Sequence, residues 1–303
     1  MDPQFSYQVD PKTKYPKMSE SPLVSVLMTS YNRETFIREA IESVLASTYT
    51  NFELIIVDDV SKDSTLAIAR EYAARDARIQ VYRNERNLGD YPNRNRAAGY
   101  ARGEFIMYVD SDDTIFPDGI QRCVEVMLSF PESSFGMYWP RLGEEPCILP
   151  SDKAIHRHFF ETPFLVIGPG GTILRRSFLQ QIGAYPEKYG PANDMYFNLK
   201  ATCYSPIVLL PFEFVFYRRH EGQEINNSYS YLYNGYLYLT DALRELPLML
   251  TQKEMDWIDK KCKRRFLVNL VRFFLKTRDV KRTRDLIKKT KFGTKDTFLA
   301  IFN

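Results

Sequence analysis

Apolar residues along the chain fall into short continuous runs that alternate with stretches of helical periodicity. Leu23-Val24-Ser25-Val26-Leu27-Met28 is nearly uncharged and rich in β-branched residues, which predicts a buried strand. Thr29-Ser30-Tyr31-Asn32-Arg33 interrupts it, and Phe36, Ile37, Ala40, Ile41, Val44 and Leu45 then recur at helical spacing. Leu54-Ile55-Ile56-Val57 predicts a second strand, stopping abruptly at Asp58-Asp59. Ser61 or Asp63 is placed to cap a helix running through Ala74. Ile79-Gln80-Val81-Tyr82 reads as a third strand, Asn93 to Ala101 as a helix, and Phe105-Ile106-Met107-Tyr108-Val109 as a fourth strand ending in Asp110. Strands and helices that alternate in this way predict an α/β fold, with a largely parallel sheet and helices on both faces. In such sheets ligands lie beyond the carboxyl ends of the strands. The polar clusters Thr29 to Arg33, Asp58-Asp59 and Asp110 to Asp113 all fall there.

The second half is less regular. Pro117 starts a helix reaching Phe130, and Phe135 to Trp139 reads as a strand. Residues 140–165 show no strong pattern. Gly168-Pro169-Gly170-Gly171 marks a turn before Thr172-Ile173-Leu174 and a helix holding Arg175 and Arg176. Phe212 to Tyr217 reads as a late strand closed by Arg218-Arg219-His220. The chain is helical beyond 229. The expected organisation is a flexible lead over 1–21, an α/β domain over 22–228 and a helical region over 229–303. Within the domain, 22–115 and 116–228 are expected to form two halves.

Composition narrows the function. A chain of 303 residues with net charge +3 does not read as a nucleic-acid binder. Cys123, Cys147, Cys203 and Cys262 form no CxxC pair, which argues against zinc and fits a reducing compartment. The first 22 residues lack an apolar leader core, and no apolar run reaches 18 residues, so a cytoplasmic protein is expected. Charge is uneven: from Thr251 onward, 16 Lys and Arg face 6 Asp and Glu. Phe266, Leu267, Leu270, Val271, Phe274 and Leu275 share one side of a helix there. That pattern fits packing on the main domain, with peripheral contact at the inner face of an anionic membrane as a secondary role.

Asp110 and Asp112 are two residues apart and point the same way in extended chain. Their mutual repulsion is relieved by a hard divalent cation, Mg²⁺ or Mn²⁺, which can also neutralise a departing diphosphate. A DxD taken alone is more often a polar strand exit; its place after an apolar strand favours the metal. GxGxxG is absent after the first strand, which disfavours a dinucleotide-dependent dehydrogenase.

Val24 to Arg33, Phe52 to Ser64 with its Asp58-Asp59-Val60-Ser61, Arg94-Asn95, Gly103 to Ile106 and Asp110-Ser111-Asp112-Asp113 together resemble the family 2 inverting glycosyltransferases of GT-A fold, in order and in spacing. The resemblance is close over residues 22–120 and looser to 220. It implies a Rossmann-like mixed sheet and a hexosyltransferase-type enzyme. The donor would be a nucleotide sugar, by family habit a UDP-sugar. The acceptor would be a glycan or lipid-linked hydroxyl in cell-surface polysaccharide synthesis. It implies that Thr29, Tyr31 and Arg33 lie along the nucleotide, with Tyr31 near the base. Asp59 would accept the base N–H, and Arg94 would border the base or diphosphate. Asp110 would be shared between ribose and metal, Asp112 would bind the metal directly, and His220 would approach it. Asp113 is expected to face away.

Inverting transfer also needs a base to take the acceptor proton. The family's acidic pair after the acceptor-side turn corresponds to Asn193-Asp194, so Asp194 is the expected base; its alternative role is an acid favoured by a helix N-terminus. Gly170-Gly171 fits an acceptor-side turn, and Arg175 and Arg176 suit an anionic acceptor or a solvated face. His156 and His158 read as surface or acceptor-side residues, and Asp58, Asn95 and Gly103 as structural. Two other functions compete: an inactive sugar-binding or scaffold partner of the same fold, and a nucleotidyltransferase. The latter normally needs an early Gly-rich phosphate loop, which residues 29–33 lack.

Overall fold

The computed structural model describes residues 21–141, 143–220 and 227–302. The expected flexible lead therefore lies, apart from Ser21, outside the described residues. In chain order the elements begin with β1 Val24–Ser30, α1 Ile37–Leu45, β2 Phe52–Asp58, α2 Thr65–Ala73, β3 Ile79–Arg83, α3 Asp90–Tyr100 and β4 Phe105–Tyr108. They continue with β5 Thr114–Ile115, α4 Gly119–Ser129, β6 Phe135–Tyr138, β7 Cys147–Leu149, α5 Ser151–Phe160, β8 Thr172–Arg175 and α6 Arg176–Ile182. After these come α7 Asn193–Tyr204, β9 Ile207–Leu210, β10 Val215–Phe216, α8 Ser228–Glu245, α9 Gln252–Thr277, α10 Val280–Thr290 and α11 Thr294–Phe302.

One eight-stranded sheet runs β3-β2-β1-β4-β8-β6-β9-β7. The first four strands are mutually parallel, with Val24 opposite both Phe52 and Phe105. β8 turns antiparallel to β4 and β6, which makes the sheet mixed. The strands alternate between two cores, as a period of two requires. Val26, Met28, Leu54, Ile56, Phe105 and Met107 pack on α1, α2 and α4. Leu27, Ile55, Val57, Ile106 and Tyr108 pack on α3, α5, α6 and α7. Gly103 is required at the entry to β4, because a Cβ there would stand 2.6 Å from both Leu23 O and Ser25 N.

The first half follows the sequence expectation closely. α3 starts earlier than expected, at Asp90, because Pro92 sits in the first turn, where its missing N–H is no loss. The second half departs further. Ile207–Leu210, bracketed by Pro206 and Pro211, is a fully buried strand that sequence reading passed over. The expected strand over Phe212 to Tyr217 shrinks to Val215–Phe216, paired with β5 in a separate two-stranded sheet. Residues 140–165 contain β7 and α5. The inward side of α5 carries Ala154, Ile155 and His158, so a histidine in a core position hid the apolar period. Arg175 ends β8 instead of joining the following helix.

The C-terminal helices are tied to the main body through α8. Tyr238 and Ala242 enter the core shared with α7. Tyr189 and Tyr196 donate hydrogen bonds to Asp241 and Glu245 of α8, at 2.8 and 2.9 Å. Phe266 and Leu270 of α9 and Leu286 of α10 then bury against Tyr236 of α8.

Candidate active site

The carboxyl ends of β1, β2 and β4 lie side by side, since Ser30 is opposite Asp58 and Leu27 opposite Tyr108. Backbone hydrogen bonds extend the alignment into the loops: Asp59 N–H donates to Ser30 O and Val109 N–H to Leu27 O. Three polar segments converge there.

The loops after β1 and β2 are bound to each other. Asn32 N–H donates to Ser61 Oγ, Lys62 N–H to Asn32 Oδ1 and Arg33 N–H to Thr65 Oγ1. Asp58 is fully buried, and its Oδ2 accepts from Ser61 N–H, so Asp58 and Ser61 support the loop. Asp63 accepts from Thr65 N–H, the first donor of α2, and from Glu34 N–H in the loop after β1, so it ties the two loops together at the start of α2. Val60 adopts φ 66°, a left-handed conformation that β-branched residues rarely take. It turns the chain between Asp59 and Ser61.

Asp59 is buried and accepts from three donors: Leu88 N–H at 2.8 Å, Gly89 N–H at 2.9 Å and Asn84 Nδ2 at 2.7 Å. Among the described residues its Oδ2 takes only the Gly89 bond, which leaves acceptor capacity for one more donor. Asn84 also reaches Asn93, which donates to Val57 O. Neither asparagine was singled out from sequence. Their importance lies in long-range bonds that no local pattern encodes.

Arg94, one turn into α3, bridges two carboxylates: Asp90 at 2.7 Å and Asp110 at 2.6 Å. Asp90 sits at i−4 from Arg94 on the same helix face, and it too escaped sequence reading. Arg33 Nε donates to Asp112 Oδ2 at 2.9 Å, and His220 Nε2 lies 2.9 Å from the same oxygen. The His220 ring stacks on Phe36, with centroids 4.8 Å apart. Thr29 presents its carbonyl to Ser111 Oγ, and the side chain of Tyr31, in the loop after β1, is exposed.

Carboxylate oxygens of Asp110, Asp112 and Asp113 lie within 4.8 Å of one another. The expectation that Asp113 faces away is corrected here. The turn closed by Asp113 N–H on Asp110 O folds its side chain back, where Arg218 N–H donates to it at 2.9 Å. Burial first, then the charge of Asp110, pushes its carboxyl up to about 7. No described residue donates to Asp110 Oδ2 or Asp112 Oδ1. An all-oxygen set with this concentration of negative charge suits a hard divalent cation.

Asp194 stands in the first turn of α7 and is largely buried. Its Oδ1 accepts from Met195 N–H at 2.6 Å. Burial pushes its carboxyl up to about 7, against the opposing pull of that hydrogen bond and of Arg94. The turn at Gly168 runs beside it: a Cβ on Gly168 would lie 3.7 Å from Asp194 Oδ2. Asn193 Oδ1 accepts from Tyr189 N–H, so it secures the turn before α7.

Other sequence candidates resolve as structural. Arg175 pairs with Glu104 at 2.6 Å, which neutralises it, and Arg176 Nε donates to Gly103 O. His158 is not a surface residue. Its Nδ1 accepts from Phe164 and Leu165 N–H, and burial lowers its pKa to about 4. Asn95 bonds both the N–H and the carbonyl of Tyr185, as its structural assignment requires.

Comparison with known proteins adds to this geometry. The family model described as "Glycosyl transferase family 2" matches residues 25–183, just over half of the chain. The Escherichia coli protein WfgD is named as a UDP-Glc:alpha-D-GlcNAc-diphosphoundecaprenol beta-1,3-glucosyltransferase. It is 42% identical over 106 residues, covering 35% of this chain and 41% of its own. The chain spans less than half the length of the curated relatives it matches. Among solved structures, S. aureus TarS 1-349 in complex with UDP-GlcNAc superposes with a TM-score of 0.70 at 21% identity, over 88% of this chain and 79% of that one. The mannosyltransferase PcManGT from Pyrobaculum calidifontis, in complex with GDP-Man and Mn²⁺, gives a TM-score of 0.63 at 15% identity, over 93% and 84%. Both share the mixed central sheet and the helical continuation, which is the GT-A fold.

Proposed function

Since the chain belongs to glycosyl transferase family 2, we propose that it is a metal-dependent, inverting glycosyltransferase. It moves a hexosyl unit from a nucleotide diphosphate donor, a UDP-sugar, to a hydroxyl of a glycan or lipid-linked acceptor in cell-surface polysaccharide synthesis. The observation that carries this reading is the convergence of Asp110, Asp112 and Asp113 at the end of β4. The names of WfgD and TarS favour a UDP-sugar, and that of WfgD a lipid-linked acceptor.

Asp112 and Asp110 would hold Mn²⁺ or Mg²⁺, with His220 and Asp113 at its edge. The bound ion would neutralise charge on the leaving diphosphate. The chain's own residues account for the rest. Asp59 accepts the base N–H through its remaining capacity. Thr29, Tyr31 and Arg33 line the nucleotide, the Tyr31 ring lying against the base. Arg94 orients Asp110 and borders the base or the diphosphate. Asp194 takes the proton from the attacking hydroxyl as the new C–O bond forms and the bond to diphosphate breaks on the opposite face. A carboxylate raised toward 7 is a better base for this than an exposed one. The Gly168 to Gly171 turn leaves backbone open beside that carboxylate. Residues 22–115 thus serve the donor and 116–228 the acceptor, with 229–303 as a basic support. Among the described residues no helix is long and apolar enough to cross a membrane, and the reading places the enzyme at the cytoplasmic face, in peripheral contact.

Thermal shift against a panel of nucleotide sugars, with and without Mn²⁺, tests this reading. Stabilisation by a UDP-sugar that needs the metal is expected. Stabilisation by no nucleotide, with no release of nucleotide diphosphate, would sink it.

A further inference from the structure

The six-residue apolar stripe expected on α9 is divided: Phe266 and Leu270 are buried against α8, Leu267 and Phe274 are half-buried, and Val271 and Leu275 are exposed. The opposite side of α9 has a different character. Trp257, Val268, Val271 and Leu275 are each between 41% and 53% exposed. Their spacing of 11, 3 and 4 residues returns them to one side of a 3.6-residue helix. Lys261, Arg264, Arg265 and Arg272 share that side, together with Val268, around a concavity of about 460 Å³.

Charge on this side is not balanced. Between Trp257 and Lys276 the one carboxylate is Asp259. It lies round toward the packed side and is paired with Lys263 at 2.6 Å. Arg264, Arg265 and Arg272 have no carboxylate partner among the described residues. Lys261 stands 4.4 Å from the Trp257 ring centroid instead. An ordinary solvated helix face carries both signs. The chemistry recurs on α10, where exposed Val280 and Ile287 share a side with Arg284 and Lys288. The buried residues of both helices meet one cluster on Tyr236, so these basic sides face away from it.

We propose that the outer side of α9, from Trp257 to Leu275, docks on an anionic phospholipid surface. Arginines and lysine engage headgroup phosphates, while Trp257, Val268, Val271 and Leu275 enter the interface. Charge complementarity selects this occupant. A second copy would bring the same cations against each other, and a neutral protein face would leave them unpaired on burial. The proposal deepens the membrane-peripheral part of the transferase reading and names the surface that provides it.

Co-sedimentation of the full chain with vesicles tests it. Binding to equimolar phosphatidylglycerol and phosphatidylcholine is expected, with none to phosphatidylcholine alone. Arg264→Glu/Arg265→Glu/Arg272→Glu should weaken partitioning on the order of 100-fold or more, from the contribution of each basic residue near a charged surface. Val268→Ser/Val271→Ser/Leu275→Ser should weaken it further in high salt, where screening removes the charge contribution. All six positions point outward, so thermal stability and the UDP–Mn²⁺ shift should be unchanged in both variants. Equal binding by wild type and the charge variant, equal binding to neutral vesicles, or a concentration-dependent dimer dissolved by the same substitutions would overturn the proposal. Loss of the UDP–Mn²⁺ shift in the wild type would overturn the transferase reading and leave the docking result standing.

Discussion

Arg94 Nη1 donates to Asp110 Oδ1 across 2.6 Å, so a helix residue sets the position of the first carboxylate of the acidic cluster. The same guanidinium offsets part of the rise that burial imposes on the Asp194 carboxyl. One buried cation therefore reaches both the donor end and the base of the proposed reaction. Arg94→Ala should reduce both nucleotide affinity and turnover, whereas a residue acting on one side alone would change one parameter. Isothermal titration with UDP and steady-state kinetics separate these.

Asp112 is held by Arg33 and lies beside His220, outside any core layer. Asp112→Asn should leave the melting temperature of the free protein close to wild type while abolishing the Mn²⁺-dependent shift. Activity should fall about 100-fold or more, as when a preorganised charge at a leaving group is lost. An unchanged metal response would remove Asp112 from the metal site.

Asp194→Asn should lower kcat by about 10²- to 10⁴-fold, the contribution of a positioned base, with UDP binding retained. The base acts only when deprotonated. With its carboxyl at about 7, the rate should therefore rise with pH through that value and level off above it, and the inflection should vanish in the variant. Linkage runs the other way. The folded pKa lies above the ordinary carboxyl value of 3.8, so this group's stabilisation is complete below 3.8 and is lost as pH rises through 7. Asp194→Asn should be the more stable protein at pH 8, as checked by urea denaturation.

Glu53 is a buried carboxylate that accepts from Ser25 Oγ, Gln80 Nε2, and Arg102 N–H and Nε. Burial raises its pKa, but the Ser25 and Arg102 donors and the Arg102 charge together bring it below 4.5. Its stabilisation is therefore present above 4.5 and fades as pH falls through the lower folded value. Glu53→Ala should cost about 1–3 kcal/mol by stranding buried donors, and acid unfolding should begin at higher pH than in wild type.

Gly103→Ala should destabilise by about 1–3 kcal/mol, because the two nearest colliding atoms, Leu23 O and Ser25 N, belong to backbone and cannot step aside. A melting temperature equal to wild type would show that the β1–β4 approach is looser than its 2.6 Å clearance indicates.

The α/β alternation, the buried strands of the first half and the polar strand ends were legible in the chain, because period and loop position are local properties. The acidic cluster was legible for the same reason, since Asp110 and Asp112 are neighbours at a strand exit. Asp90, Asn84 and Asn93 were not: each acts through a partner that the sheet or a helix turn brings to it. β9 was missed because four apolar residues between prolines carry no period, and α5 because His158 stands where an aliphatic residue would mark the face.

By itself the sequence determined which segments are strands and helices in the first half, and which carboxylates stand at their ends, through side-chain period and turn chemistry. Tertiary structure alone decided which of those carboxylates meet. It brought Asp194 near Arg94 and folded Asp113 inward onto Arg218. It also divided the apolar stripe of α9, turning Phe266 and Leu270 into the core and leaving Val271 and Leu275 outward among basic residues. Each of these is a contact between distant segments, set by how two layers of helices pack on one twisted sheet.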